Sequence, residues 1–144
     1  MLAEFLALIE QLVNPPGGGS GVTPPFVMSK SGNATVGTYL RVGESVSSNT
    51  GQLIKGVNYL IEMSVSNGSN VASNTVLQVQ RRTGVNTFVD LAGASVTIPA
   101  GSYKATNTGL TISIGPDEEI SAYVKSGSTL DNPILMIYCT PQAA

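Results

Sequence analysis

From Phe26 onward, short runs rich in β-branched residues alternate apolar and polar side chains, and turn residues separate the runs. A period of two is the signature of a β-strand that turns one face toward a core. The pattern predicts eight strands: Thr35–Val42, Asn58–Val65, Thr75–Arg82, Thr87–Leu91, Ser95–Ile98, Leu110–Ile114, Ile120–Lys125 and Ile134–Thr140. We therefore expect a mainly β protein, an antiparallel jelly-roll-like β-sandwich over residues 26–144.

The alternation also predicts which side chains face the core. In one strand it turns Leu77 and Val79 inward and Gln78 and Gln80 outward. In the strand before it, four residues are predicted to share one face: Tyr59, Ile61, Met63 and Val65.

The last strand departs from alternation because residues 134–138 are all apolar. One face of this strand belongs to the core, and the other needs a cover. That cover is either a neighbouring subunit or a loop or helix of the same chain. For the first case we expect Leu135, Ile137 and Tyr123 to form the subunit interface.

Residues 1–14 have the spacing of an amphipathic helix. Its apolar stripe consists of Leu2, Phe5, Leu6, Ile9, Leu12 and Val13. The segment contains Glu4 and Glu10 and no Lys or Arg, so we do not expect a signal peptide and expect synthesis in the cytoplasm. It is also shorter than the roughly 20 apolar residues that cross a bilayer, so membrane insertion is not expected.

Residues 15–25 combine glycines with two pairs of prolines, which is the composition of a tether. A helix of this length needs a partner for its apolar face. Three partners stay open: its own domain, copies of itself in a bundle, or a larger structure to which the helix anchors the chain.

Composition argues against an enzyme. The chain has no His and one Cys, so a histidine-based catalytic pair, most zinc sites and an intrachain disulfide are excluded. Charged residues make up 11% of the chain, with 7 Lys and Arg against 9 Asp and Glu. This balance gives no basic surface for nucleic acid, and it suits a protein that packs against copies of itself.

Individual chemical candidates have simple explanations. Asp117, Glu118 and Glu119 form the one acidic cluster; its spacing does not match an EF-hand loop, which favours a solvated turn over a calcium site. Cys139 lies in the most apolar strand and is expected to be a buried apolar side chain. No cofactor or metal is expected.

Three stretches carry a resemblance to a known group: VLQVQRRTGVNTFVDL (Val76–Leu91), VTIPAGSY (Val96–Tyr103) and GPDEEISAYVKSGS (Gly115–Ser128). They resemble small β-sandwich domains of tailed-bacteriophage structural proteins, such as head decoration (cement) proteins, head fibres and tail-fibre modules. They are also similar to trimeric jelly rolls of the tumour-necrosis-factor or complement-head type. The resemblance implies a homotrimer on a phage particle, attached through the N-terminal segment, and implies no catalytic residue.

Three hypotheses follow. The first is a decoration protein that binds the major capsid protein, or another virion protein, on the outer head shell and stabilises it. The second is a fibre module whose loops, at residues 67–73 or 101–109, touch a host surface glycan; Tyr39, Tyr103 and Tyr123 are the aromatic candidates for stacking a sugar. The third, an enzyme on a β-sandwich, has the least support because the chain lacks His.

Overall fold

The computed structural model describes residues 24–43, 45–46, 51–55, 57–115 and 117–141. These residues form thirteen strands: β1 (Phe26–Ser29), β2 (Asn33–Ala34), β3 (Arg41–Val42), β4 (Ser45–Val46), β5 (Gln52–Leu53), β6 (Val57–Ser66), β7 (Thr75–Gly84), β8 (Thr87–Ile98), β9 (Lys104–Asn107), β10 (Ile112–Ser113), β11 (Glu119–Ser126), β12 (Leu130–Asp131) and β13 (Ile134–Pro141). All the pairings between them are antiparallel, which confirms the predicted all-β fold class. The predicted N-terminal helix lies outside the described residues.

Two sheets make up the body of the molecule. The larger has the order β10-β6-β13-β1-β3-β4, with β9 also pairing with β6, and the smaller has the order β5-β11-β7-β8. From β5 to β13 the chain crosses repeatedly between these sheets, and β7 and β8 form a hairpin within one of them. This is the connectivity of a jelly roll.

One apolar core lies between the sheets. The larger sheet contributes residues such as Leu60, Met63 and Ile137, and the smaller contributes Leu77 and Ile120, all 0% exposed. The inward phase predicted for Leu77 and Val79 is confirmed. Gln78 and Gln80 are nevertheless buried as well, so the outer face of β7 is also covered.

The predicted phase of β6 is wrong in its first half. Leu60, Met63 and Val65 are buried, whereas Tyr59 is exposed. The register with β13 shifts between the pairs Tyr138↔Glu62 and Cys139↔Leu60, which leaves Ile61 as an extra residue. A β-bulge of this kind reverses the inward phase along the strand, and a local pattern does not reveal it.

Two other predicted strands differ from the structure. Residues 37–40 lie along β11, with the backbone N–H of Leu40 donating to the Ala122 carbonyl at 2.9 Å, and the chain then enters the other sheet as β3. The prediction of one strand over Thr35–Val42 is therefore wrong, because the segment turns a corner between sheets. Conversely, Thr87–Leu91 and Ser95–Ile98 are parts of one strand, β8, whose register with β7 shifts between them.

The strand directions define two ends of the sandwich. Phe26 pairs with Ile137 and Ser29 pairs with Ile134, so β1 enters from the end at which β13 finishes. The turn of the β7–β8 hairpin lies at that same end, which we call the terminal end. At the opposite end, which we call the loop end, lie the connections β6–β7, β8–β9 and β11–β13.

Candidate interaction surface

The outer face of the larger sheet carries a group of partly exposed apolar side chains. Along β13 the side chains alternate: Leu135, Ile137 and Cys139 are buried, and Ile134 is 45% exposed. Met136 and Tyr138 lie on the same side as Ile134 and are half-buried.

This alternation corrects the prediction that Leu135 and Ile137 form a subunit interface. Both side chains are 0% exposed and lie in the core of the chain, so they present no surface to a neighbour. The sequence left the phase of β13 undetermined because every residue from 134 to 138 is apolar. Burial shows that the even-numbered residues form the outer face.

Neighbouring strands extend this outer face. Val27 of β1 lies opposite Met136 and is 50% exposed. On the other side, Ser64 of β6 lies opposite Met136. After the bulge, Tyr59 lies opposite Thr140 and is also exposed. We call the group Val27, Tyr59, Ile134, Met136 and Tyr138 the open face.

Few charges accompany the open face. The register puts Glu62 opposite Tyr138, and it puts Lys104 opposite Ser66, beside Ile134. Arg41 lies opposite Ser29 at the β3 side. Five apolar side chains, with three charged ones at the margins, make this part of the sheet a candidate protein interface.

Tyr123, the third predicted interface residue, lies elsewhere. It belongs to β11 in the smaller sheet, and its ring stacks on Tyr39 with centroids 5.3 Å apart. Its hydroxyl donates to Asp90 Oδ1 at 3.0 Å. Tyr123 therefore does not share a surface with the open face.

Asp90 is the centre of a polar network on the outer face of the smaller sheet. Gln80 Nε2 donates to its Oδ1 at 2.9 Å, and Lys125 Nζ donates to its Oδ2 at 2.9 Å. The Tyr39 hydroxyl donates in turn to Gln80 Oε1. The hydrogen bond from Gln80, followed by those from Lys125 and Tyr123, holds the pKa of Asp90 below its ordinary value.

The network around Asp90 also shifts the pKa of its two tyrosines. Burial, followed by the nearby Asp90 carboxylate, raises the pKa of Tyr39. Burial and the hydrogen bond to Asp90 raise the pKa of Tyr123. Both hydroxyls thus remain protonated donors, and the network is a structural support for β7, β8 and β11.

The acidic cluster is occupied by ion pairs. Asp117 pairs with Lys55, Glu118 with Arg81 at 3.1 Å and Glu119 with Arg82 at 2.9 Å. Among the residues that the structure describes, no three His, Cys, Asp or Glu side chains are placed to hold a metal ion. Each carboxylate has a different cationic partner, so the cluster ties β11 to β7 and to the segment after β5.

A depression lies at the loop end. It has a volume of about 440 Å³ and is lined by Ser66, Asn67, Gly68, Ser69, Asn70 and Tyr103. Both loop segments that the glycan hypothesis named, residues 67–73 and 101–109, contribute to it. Tyr103, one of the three aromatic candidates, is 47% exposed there, whereas Tyr39 and Tyr123 lie on the smaller sheet.

The helix residues predicted to anchor the chain, Leu2 to Val13, lie outside the described residues. In the described part of the chain, no helix has the length and apolar character required to cross a membrane.

No family model matches the chain, and no curated protein matches it. A solved chain described as PRD1 vertex protein P5 is 19% identical, with 85% of this chain and 99% of that chain covered and a TM-score of 0.49. Function is therefore argued from the surfaces themselves.

Proposed function

We propose that this chain is a non-enzymatic structural protein of a bacteriophage particle. In this proposal it is a decoration or cement protein that binds the outer head shell and stabilises it. The sequence resemblance to phage decoration and fibre domains supports the class of phage structural proteins. The low content of charged residues is typical of a protein that packs into a larger assembly. The observation that carries the proposal is the open face.

The occupant of the open face in this proposal is a second copy of the chain. Val27 and Ile134 expose about half of their surface, and burying such side chains contributes roughly 25 cal/mol per Å² of apolar area. The face carries so little charge that two copies meet without strong repulsion. Along the strands, Glu62 lies toward the terminal end of the face, and Arg41 and Lys104 lie toward the loop end.

Three copies in a closed ring are the arrangement we propose. A cyclic trimer requires that the open face contact a different patch on the next copy. Leu53 lies on β5, which pairs with β11, and Val36 precedes residues 37–40, which also lie along β11; both are exposed apolar residues, and they provide an apolar counterpart.

Attachment to the shell is assigned to the apolar stripe of residues 1–14. Residue 24, the first that the structure describes, lies near the terminal end, so the proposal puts attachment at that end. A segment attached at that end leaves the loop end directed away from the shell. Repeated over many copies, even weak contacts of this kind hold a shell together through multivalency.

Binding to phage head shells that lack the protein tests this function. We expect the wild-type chain to co-sediment with such shells and to raise the temperature at which they release their DNA. The Phe5→Asp/Ile9→Asp variant should fail to bind while keeping the circular dichroism spectrum of the β-sandwich. A variant that binds like wild type would show that the stripe is not the anchor, and failure of wild type to bind would refute the decoration role.

The alternative is a receptor-binding or structural module of a phage head or tail fibre. The depression at the loop end favours this alternative, because its walls come from the loops that such a module would use. Binding of the wild-type chain to host cells rather than to shells would favour the fibre role.

A further inference from the structure

We propose that the depression at the loop end is a binding site for a saccharide, one neutral pyranose ring at a time. The inference stands on the depression alone and does not depend on the oligomeric state or on the particle to which the chain attaches.

The floor of the depression is held rigidly. Asn67 is only 6% exposed, and its Nδ2 donates to the Ser69 carbonyl at 2.7 Å. Its Oδ1 accepts from the backbone N–H of Asp131 at 2.7 Å. The single side chain thereby fixes the β6–β7 loop to the segment that precedes β13.

The facing loop is fixed to the same frame. The backbone N–H of Asn67 donates to the Tyr103 carbonyl at 2.7 Å, and that of Val71 donates to the Ser102 carbonyl at 2.8 Å. Gly101 donates back to the Val71 carbonyl at 2.7 Å. A site whose walls are already in place requires little ordering when a ligand binds, which favours affinity for a small molecule.

The walls offer the two kinds of contact that a sugar ring uses. Tyr103 presents an aromatic ring on which the apolar C–H face of a pyranose can lie. Ser69 and Asn70 are exposed, and their side chains make no hydrogen bond to any other described residue. A hydroxyl and an amide provide both donors and acceptors, as the hydroxyl rim of a sugar requires.

The charge near the depression favours a neutral ligand. Lys104 Nζ lies over one face of the Tyr103 ring, 5.6 Å from its centroid, so a sugar would stack on the opposite face. On the other side, the Asp131 carboxylate lies beside Gly68, where a Cβ would be 2.9 Å from Oδ2. One positive and one negative side chain flank the site, so an anionic sugar or a phosphate gains no net attraction.

Nuclear magnetic resonance titration of the full-length, ¹⁵N-labelled chain tests the proposal. The probes are the methyl glycosides of glucose, galactose, mannose and N-acetylglucosamine. We expect at least one to cause saturable shifts of the Ser69, Asn70 and Tyr103 amide signals, with a Kd of about 1 mM. Absence of saturable shifts at these residues with all four probes would overturn the proposal.

Variants separate a sugar site from a non-specific effect. Tyr103→Ala should raise the Kd about tenfold or more, because it removes the ring face, whereas Tyr103→Phe keeps the ring and should stay within about threefold of wild type. Asn70→Ala should also weaken binding. Val85→Ala, at the hairpin turn of the terminal end, is the matched control and should bind like wild type. Equal affinity of Tyr103→Ala and wild type would refute the assignment.

Discussion

Asp90 links three strands through one carboxylate, since it accepts hydrogen bonds from β7 and from two residues of β11 while lying on β8. These donors favour the ionised form and hold the pKa of Asp90 below its ordinary value. A depressed pKa in the folded state stabilises the protein above the pKa of the unfolded chain. That stabilisation is lost as the pH falls through the folded-state pKa.

Replacing this carboxylate should change the pH dependence of stability. Asp90→Asn should be less stable than wild type at pH 7, and the difference in the free energy of unfolding should shrink at or below about pH 3. Urea unfolding of both proteins between pH 7 and the acid limit measures the difference. A difference that stays constant over this range would show that Asp90 acts through packing rather than through its charge.

Gly127 is a second residue on which the fold depends, because its position leaves no room for a side chain. Its φ is +107°, and a Cβ would lie 2.4 Å from the Asn74 carbonyl oxygen and 2.5 Å from Thr75 Cα. Gly127→Ala should therefore cost more than about 2 kcal/mol. Gly37, with φ +89° and open space around it, is the control, and its Ala variant should lose only about 1 kcal/mol. Equal urea midpoints for the two variants would contradict this account.

Cys139 should behave as a core side chain rather than a reactive thiol. Burial raises its pKa to about 11, so little thiolate exists at neutral pH. In an assay of about an hour at pH 8, the folded protein should not react with Ellman's reagent. The protein unfolded in urea should react fully. Rapid reaction of the folded protein would show that β13 opens readily.

At the scale of the element, β13 separates the core from the open face within one strand. Leu135→Ala removes a side chain that is fully buried and should cost about 2 to 5 kcal/mol. Ile134→Ala, one residue earlier on the opposite side, should cost less than about 1 kcal/mol in the isolated sandwich. Urea unfolding at low protein concentration, where self-association is weakest, measures both. Comparable losses would mean that the phase of β13 is misassigned.

The strands show how far local pattern predicts this fold. Alternation correctly predicted the core residues of β7, because that strand pairs with β11 in unbroken register from Leu77 to Arg81 and its apolar residues stand at every second position. It failed at Ile61, where the bulge arises from pairing with a strand nearly 80 residues later. Alternation could not show which side of β13 faces the core, because the residues on both sides of this strand are apolar.

The two surfaces were predictable to different degrees. The composition of the final strand predicted that its outer face needs a cover. It did not predict that Val27 belongs to this face, because Val27 joins it only by pairing with Met136. The two loops of the depression, residues 67–73 and 101–109, were named from the sequence as separate candidates. Their meeting depends on hydrogen bonds such as that from Asn67 to Tyr103, which join segments 36 residues apart and leave no local signal.

At the scale of the whole molecule, residue 24 and the end of β13 lie at the opposite end of the sandwich from the depression. The described chain begins near the end at which β13 finishes, and the depression lies where β13 begins. The open face runs along the side between them. Our proposals thus give attachment, self-association and saccharide binding three different surfaces, of which the open face and the depression adjoin at Ser66, opposite Ile134.

The central claim, that copies associate through the open face, is tested most directly by the absolute mass of the protein in solution. Light scattering on a sizing column should give three times the 14.8 kDa chain mass for wild type and for Val85→Lys/Val89→Lys, whose exposed residues lie on the hairpin. The Val27→Lys/Ile134→Lys variant should elute at the mass of one chain with its β-sandwich intact. A monomeric wild type, or a trimer that survives this double substitution, would contradict the account.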